Sequence, residues 1–184
     1  MIINAITLQR CLPETPSGTI ALFAPHISAT LAECGLDTTK RVADFIAQVG
    51  HESGGLKHLK ELWGPSPAQI RYEGRKALGN SEPGDGFKFR GRGLIQVTGR
   101  FNYAVCGEAL QLDLSSFPEL LEEPEFACAS AGWFWRKHKL HIFSDLEDFK
   151  GLTRKINGGL TGLEARLRIR ERAIGVLSGA TTCN

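Results

Sequence analysis

Two carboxylates stand where they could work as an acid–base pair. Positions 42, 45, 46 and 49 carry Val42, Phe45, Ile46 and Val49, an apolar stripe at helical spacing. Continued by its own period, the stripe next reaches Glu52. Burial there disfavours the charged form, and a carboxylic acid kept protonated near neutral pH serves as a general acid. The competing arrangement ends the helix one turn earlier and leaves Glu52 in solvent. Ser53-Gly54-Gly55 is a strong helix stop directly behind Glu52. A second carboxylate, Glu61, lies nine residues further on. In an unbroken helix that interval would span about 13.5 Å and put Glu61 on the opposite face. A glycosidase pair needs its carboxyls ~5–9.5 Å apart. The two glycines allow a reversal that returns Glu61 toward Glu52, so the spacing permits a pair without requiring one.

A polar set follows in Phe89–Tyr103. If residues 94–98 are extended, Ile95 and Val97 face one side and Gln96 and Thr98 the other. A helix starting near Thr98 brings Asn102 back to the same face. Amides and a hydroxyl on one surface suit sugar hydroxyls or a positioned water; a half-exposed strand followed by a capped helix is the plain alternative. Other chemistries fit less well. His51-Glu52 and His58 lack the His-Glu-x-x-His spacing of a zinc hydrolase, and Gly91-x-Gly93 lacks the third glycine of a dinucleotide loop. No Gly-x-Ser-x-Gly occurs. His138 and His141 sit among lysines as a basic helix end. No metal or cofactor is called for. A sugar-binding module without turnover is the rival class, with Trp63, Trp133 and Trp135 as stacking surfaces; Trp133 and Trp135 lie in an apolar segment, and at least one is expected in the core.

The elements that must position these groups read as helices. Residues 18–34 carry Ala21, Leu22, Ile27 and Leu31 as apolar marks, and Asp37 or Thr38 caps a helix over 38–52. Residues 64–87, rich in Gly, Pro, Asn and Asp, read as loop with short helical turns. Helices are expected over about 98–110, over 124–137 with Pro124 at its start, and over about 160–178, where Leu160, Leu163, Leu167, Ile174 and Leu177 share a face. The fold class is mainly α, with at most a small β element.

The chain has 184 residues, 42% of them hydrophobic, which suits one domain over 1–184. Lys plus Arg is 22 and Asp plus Glu 20, a balance that argues against a nucleic-acid partner. Lys88, Arg90, Arg92 and Arg100, and the arginines at 166, 168, 170 and 172, could form positive patches, or solvated pairs such as Glu164 with Arg168. Cys11, Cys34, Cys106, Cys128 and Cys183 are odd in number and lack Cys-x-x-Cys spacing, so they read as reduced, buried small residues. No signal peptide starts the sequence and no apolar run reaches the ~18 residues of a membrane helix.

Four ordered motifs resemble glycoside hydrolase family 19, in particular its phage and prophage endolysins, relatives of the plant chitinases. They are Gly50-His51-Glu52-Ser53-Gly54-Gly55, Tyr72-Glu73-Gly74-Arg75, Gly91 through Tyr103, and Ile156-Asn157-Gly158-Gly159. The resemblance covers about residues 40–178. It implies a lysozyme-like fold around a substrate cleft and inverting hydrolysis of β-1,4 bonds beside N-acetylated amino sugars. It implies Glu52 as general acid and Glu61 as base, with Glu73 as rival, and Thr98 holding the water. Gln96, Asn102, Tyr103 and Asn157 match substrate-binding positions, and Arg166 or Arg172 a cleft arginine. Thr98 stands where the family often has Ser, and Ile169 where endolysins often have Tyr. The implied partner is peptidoglycan or a chitin-type polysaccharide, the protein a monomer without stable membrane insertion. With no signal peptide, the expected location is the host bacterial cytoplasm until holin-dependent release to the periplasmic cell wall. A lytic toxin delivered by a secretion machine fits the same residues.

Overall fold

A computed structural model describes residues 2–179. It is built of helices: α1 (Ala5–Cys11), α2 (Ser17–Glu33), α3 (Thr39–Glu52), the short α4 (Pro67–Ile70) and α5 (Asp85–Lys88), α6 (Arg100–Leu110), α7 (Pro124–Lys137), α8 (His141–Asp145), α9 (Phe149–Asn157) and α10 (Leu163–Leu177). Strand pairing among the described residues is confined to the bridges Lys60–Arg92 and Arg92–Val97. The mainly α expectation, with its small β element, agrees with this. No helix of the described residues is long and apolar enough to cross a membrane.

α3 is the centre. Thr38 caps it, its hydroxyl accepting from the Arg41 N–H at 3.3 Å, and every residue from Val42 to Gly50 is buried. The helix runs to Glu52, so the arrangement that ended a turn earlier is set aside. α2 packs with Ile20, Phe23, Ala24, Ile27 and Leu31 inward. Ala21 and Leu22, read as apolar marks, face solvent: they fall on the far side of the arc that Ile27 and Leu31 define. Trp135 of α7 is fully buried, edge-on to Phe45 with ring centroids 5.1 Å apart, an arrangement that adds ~0.5–1.5 kcal/mol to its area burial. A second apolar cluster, with Phe89, Tyr103, Cys106, Leu121 and Trp133, lies under α6 and α7, and Ile95 and Phe134 pack against both clusters.

Three helices lie outside the segments read as helical from the sequence: α1, α8 and α9, the last with Phe149, Leu152 and Ile156 at helical spacing. All are short. α1 and α9 start from side-chain caps, Asn4 accepting from the Thr7 N–H at 2.8 Å and Asp148 from the Gly151 N–H at 2.8 Å. α10 differs from its expected face. Leu163, Leu167, Ile174 and Leu177 are only half-buried and Leu160 is exposed and precedes the helix, whereas Arg166 and Ala173 are buried. The cysteines are unbridged among the described residues: Cys11, Cys106 and Cys128 are buried and Cys34 half-buried. Burial pushes the Cys11 thiol up to about 11 and that of Cys106 to about 12. Cys183 lies outside the described residues.

Candidate active site

A polar ladder on α3 positions Glu52. Asp44, Gln48 and Glu52 recur every four residues and so share one face. α10 lays two arginines against that face. Arg170 Nε donates to Asp44 Oδ1, Arg166 Nη1 to Gln48 Oε1 and Arg166 Nη2 to Glu52 Oε1, each at 2.5 Å. Gln48 Nε2 donates onward to Thr153 Oγ1 of α9 at 3.1 Å. Arg166 is 1% exposed, while the Glu52 side chain keeps 20% of its surface. Glu52 Oε2 accepts no hydrogen bond among the described residues. The end of the apolar stripe is thus a half-open wall with a guanidinium beside the carboxyl, rather than an uncompensated apolar pocket. Burial pushes the Asp44 carboxyl up against the opposing Arg170 hydrogen bond. Burial and then the Arg166 charge lower His51, with Glu52 acting the other way.

Behind Glu52 the chain reverses. Gly54, Gly55 and Leu56 take φ of 58°, 77° and 63° in succession. Ser53 closes the turn, its hydroxyl donating to the Val49 carbonyl at 2.6 Å and accepting from the Leu56 N–H at 2.8 Å. Beyond the Lys60–Arg92 bridge the chain reaches Glu61, whose N–H donates to the Gly91 carbonyl at 2.9 Å. Three donors converge on the Glu61 carboxylate: the Gly91 N–H at 3.1 Å, Gln69 Nε2 at 3.1 Å and the Tyr72 hydroxyl at 3.5 Å. Burial, then the Glu61 charge, raises the Tyr72 phenol above its ordinary value and keeps it a donor.

Gly91 is the meeting point of the polar set. A Cβ there would lie 2.6 Å from Gln96 Oε1 and 3.3 Å from Thr98 Oγ1, so both side chains crowd onto the residue that bonds Glu61. The segment differs from the expected extended strand: residues 93–96 form a turn closed by the paired Arg92 and Val97, with Gln96 at φ 56°. Gly93 at φ 79° is packed on Ser130 with no room for a side chain, and so forces the turn. Asn102 does return to Thr98, its amide donating to the Thr98 carbonyl at 2.9 Å. Gln96, Thr98 and Asn102 line a hollow of about 360 Å³ with Ile95, Trp133 and Lys137.

Tyr103 does not join that surface. It is fully buried, its hydroxyl donating to the Arg90 carbonyl at 2.7 Å and accepting from Arg92 Nη1 at 3.1 Å, so it is a core residue and not a substrate contact. Arg172 lines a different hollow, with His51, and makes no hydrogen bond to Glu52; Arg166 is the arginine bonded to that carboxylate. Asn157 is exposed at the end of α9, on the segment leading to Gly162, where a side chain would collide with the His51 ring. Glu73 has both oxygens taken by the backbone N–H groups of Gly84 and Gly86, at 2.6 and 2.9 Å. Trp63 stands edge-on to Phe87, centroids 5.4 Å apart. Half of the first expected basic patch is paired, Arg92 with Glu122 and Arg100 with Asp85, while Lys88 and Arg90 are in no ion pair among the described residues. The Glu164–Arg168 pair is not among the ion pairs of the described residues.

Asp85 fastens the loop before the cleft residues. It accepts two bonds from Arg100, at 2.7 and 2.5 Å, and the N–H groups of Ser81 and Glu82, both at 3.0 Å. The Arg100 hydrogen bond, helped by these amides and opposed by burial, holds its carboxyl below the usual 3.8. A depressed folded value contributes stability above the unfolded value, and that stability is lost as pH falls through the folded one. Asp85→Asn is expected to lower stability by about 1–3 kcal/mol at neutral pH. In thermal unfolding the gap to the unsubstituted protein closes below pH 3.8; a gap independent of pH would contradict the assignment.

Asp44, Gln48, Thr153, Gln69 and Tyr72 carry no role in the sequence reading. The period of four from Asp44 through Gln48 to Glu52 was the available signal for the first two.

A profile of the chitinase class I family matches residues 22–144. A glycosyl hydrolase family 19 domain-containing protein of Haemophilus influenzae is 30% identical, the match covering 92% of this chain and 94% of that one. An endochitinase of Arabidopsis thaliana is 33% identical over 68% of this chain and 42% of its own length. Among solved structures, a bacterial family 19 chitinase superposes with TM-score 0.76 at 23% identity, covering 96% of this chain and 95% of that one. Chitinase C of Streptomyces griseus gives 0.74 at 22% identity over 100% of this chain and 79% of its own. These two likenesses match the helical, lysozyme-like architecture. The family match, the two sequence relatives and the carboxylates framed by α3 and the 91–98 turn lead to one conclusion: the chain belongs to glycoside hydrolase family 19 and is a glycosidase.

Proposed function

We propose that the protein cleaves β-1,4 bonds of peptidoglycan by an inverting acid–base mechanism, as a monomeric lytic enzyme of endolysin type. The observation that carries the mechanism is the contrast between the two carboxylates. Glu52 offers one unbonded oxygen on the wall beside buried Arg166; Glu61 is addressed by three donors and shares Gly91 with Gln96 and Thr98. Glu52 gives its proton to the glycosidic oxygen as the bond breaks. Glu61, ionised, takes a proton from a water that Thr98 helps to hold on the opposite face of the sugar. Inversion requires room for that water, about 6.5–9.5 Å between the carboxyls. Gln96, Asn102 and Asn157 hold the sugar rings. Holding several rings in place adds to the rate by prepaid orientation.

Peptidoglycan is favoured by the resemblance to endolysins and by Lys57, Arg168 and Arg172, which are in no ion pair among the described residues and suit an anionic wall. In this reading the enzyme stays in the host cytoplasm until holin-dependent release to the periplasm. Chitin oligomers are the second substrate, favoured by the endochitinases among the relatives. Mass spectrometry of products from purified peptidoglycan and from chitin oligomers separates the two, and NMR of the first-formed anomer tests inversion. Soluble muropeptides with the α-anomer at the new reducing end are expected. Release from chitin alone, or a β-anomer, overturns the corresponding part.

A further inference from the structure

A second hollow, of about 350 Å³, opens beside His51. Its walls are the turn after α1, the Gly54–Gly55 reversal and one face of α10. Lys57, Arg168 and Arg172 line it, and none of the three makes an ion pair or side-chain hydrogen bond among the described residues. Arg41, Arg92, Arg100, Arg166 and Arg170, by contrast, are all paired. Arg168 and Arg172 stand four apart on one helix face, where like charges repel unless an anion lies between them. Glu14 is the single carboxylate on the wall, so the lining carries 3 − 1 = +2 charges. The volume lies within the range of small-ligand sites. Gly54 and His51, which frame the Glu52 turn, are part of its wall.

We propose that this hollow receives a carboxylate-bearing peptide branch of the substrate. Lys57, Arg168 and Arg172 take the carboxylates, and Glu14 an ammonium on the same branch. Guanidinium groups match carboxylates bidentately, and the lone acid favours an amino-acid-like ligand over a simple polyanion. The idea rests on the peptidoglycan reading, in which alternate sugars carry short peptides. It makes the hollow the element that distinguishes peptide-bearing glycan from chitin.

The test uses the Lys57→Ala/Arg168→Ala double variant, both positions being exposed. On peptide-bearing glycan strands kcat/KM is expected to fall about tenfold or more, chiefly through KM. On the same strands stripped of peptide by an amidase, and on chitin oligomers, it is expected to stay unchanged. Equal losses on all three, or none, overturn the proposal. A binding arm does not depend on turnover. The free stem tetrapeptide is titrated into the Glu52→Gln protein with and without the double substitution, with inorganic phosphate as control. Tetrapeptide binding that the double substitution abolishes supports the site. No tetrapeptide binding, or phosphate bound as tightly, overturns it. Should the enzyme cleave only chitin, the peptidoglycan reading fails at that step and the titration still decides the hollow.

Discussion

Replacing Glu52 by Gln is expected to lower turnover by about 10²–10⁴-fold with the fold intact. The two expectations have separate origins. Gln cannot supply the proton that the departing glycosidic oxygen needs. Its carbonyl can still accept the hydrogen bond that Arg166 Nη2 gives Glu52 Oε1, so the α3–α10 ladder closes as before. Alanine would be the poorer test: it leaves the buried Arg166 with Gln48 but without its carboxylate, a change that costs up to about 3–5 kcal/mol, and lost activity could then reflect lost structure. Turnover on soluble glycan, measured beside thermal unfolding, checks both halves. Near-normal turnover in the Gln variant would remove Glu52 from the mechanism.

The second large effect separates Glu61 from Glu73. Glu61→Gln is expected to lower turnover by about 10²–10⁴-fold, and Glu73→Gln to leave it within a few-fold while lowering stability by about 1 kcal/mol. The difference follows from what each carboxylate touches. Glu61 meets a backbone amide, a side-chain amide and a phenol, and Gln96 and Thr98 crowd onto the same Gly91. Glu73 spends both oxygens on two amides of one turn, and that turn packs so closely that a Cβ on Gly86 would lie 2.8 Å from Glu73 Oε2. Kinetics of the two variants on one substrate decide the question. A large loss in the Glu73 variant with an active Glu61 variant would exchange the roles.

Much of this was legible from local pattern. Thr38, the apolar stripe of α3 and Gly54-Gly55 together specify a helix that delivers Glu52 to a reversal, and the structure has that helix to its last residue. Apolar period could not report Arg166. A charged residue on a helix reads as surface, and only the facing row of Asp44, Gln48 and Glu52, more than a hundred residues earlier, explains its burial. Residues 94–98 misled for a related reason. Alternation suggested a strand, but the glycine at 93 and the left-handed Gln96 turn the chain after one bridge. Tyr103 sits in the most recognisable motif, and its motif membership concealed that it is a packing residue. Arg172 was separated from Arg166 only by the helix's own rotation, which carries residues six apart to different faces.

The ladder between α3 and α10 also sets the order in which the enzyme becomes competent. Gln48 and Glu52 receive Arg166, and Asp44 receives Arg170, across 118, 114 and 126 residues of sequence. Synthesis runs from the N-terminus, so α3 emerges from the ribosome long before its arginines exist. Until then its buried carboxylate and amide have no cation to meet, and the acid lacks the wall that orients it. Contacts of such separation form late, after the loop-closure entropy has been met. A nascent or prematurely ended chain that stops short of Arg166 therefore carries the acid residue without its setting. For this glycosidase, the setting of Glu52 is then complete only once α10 has docked on α3.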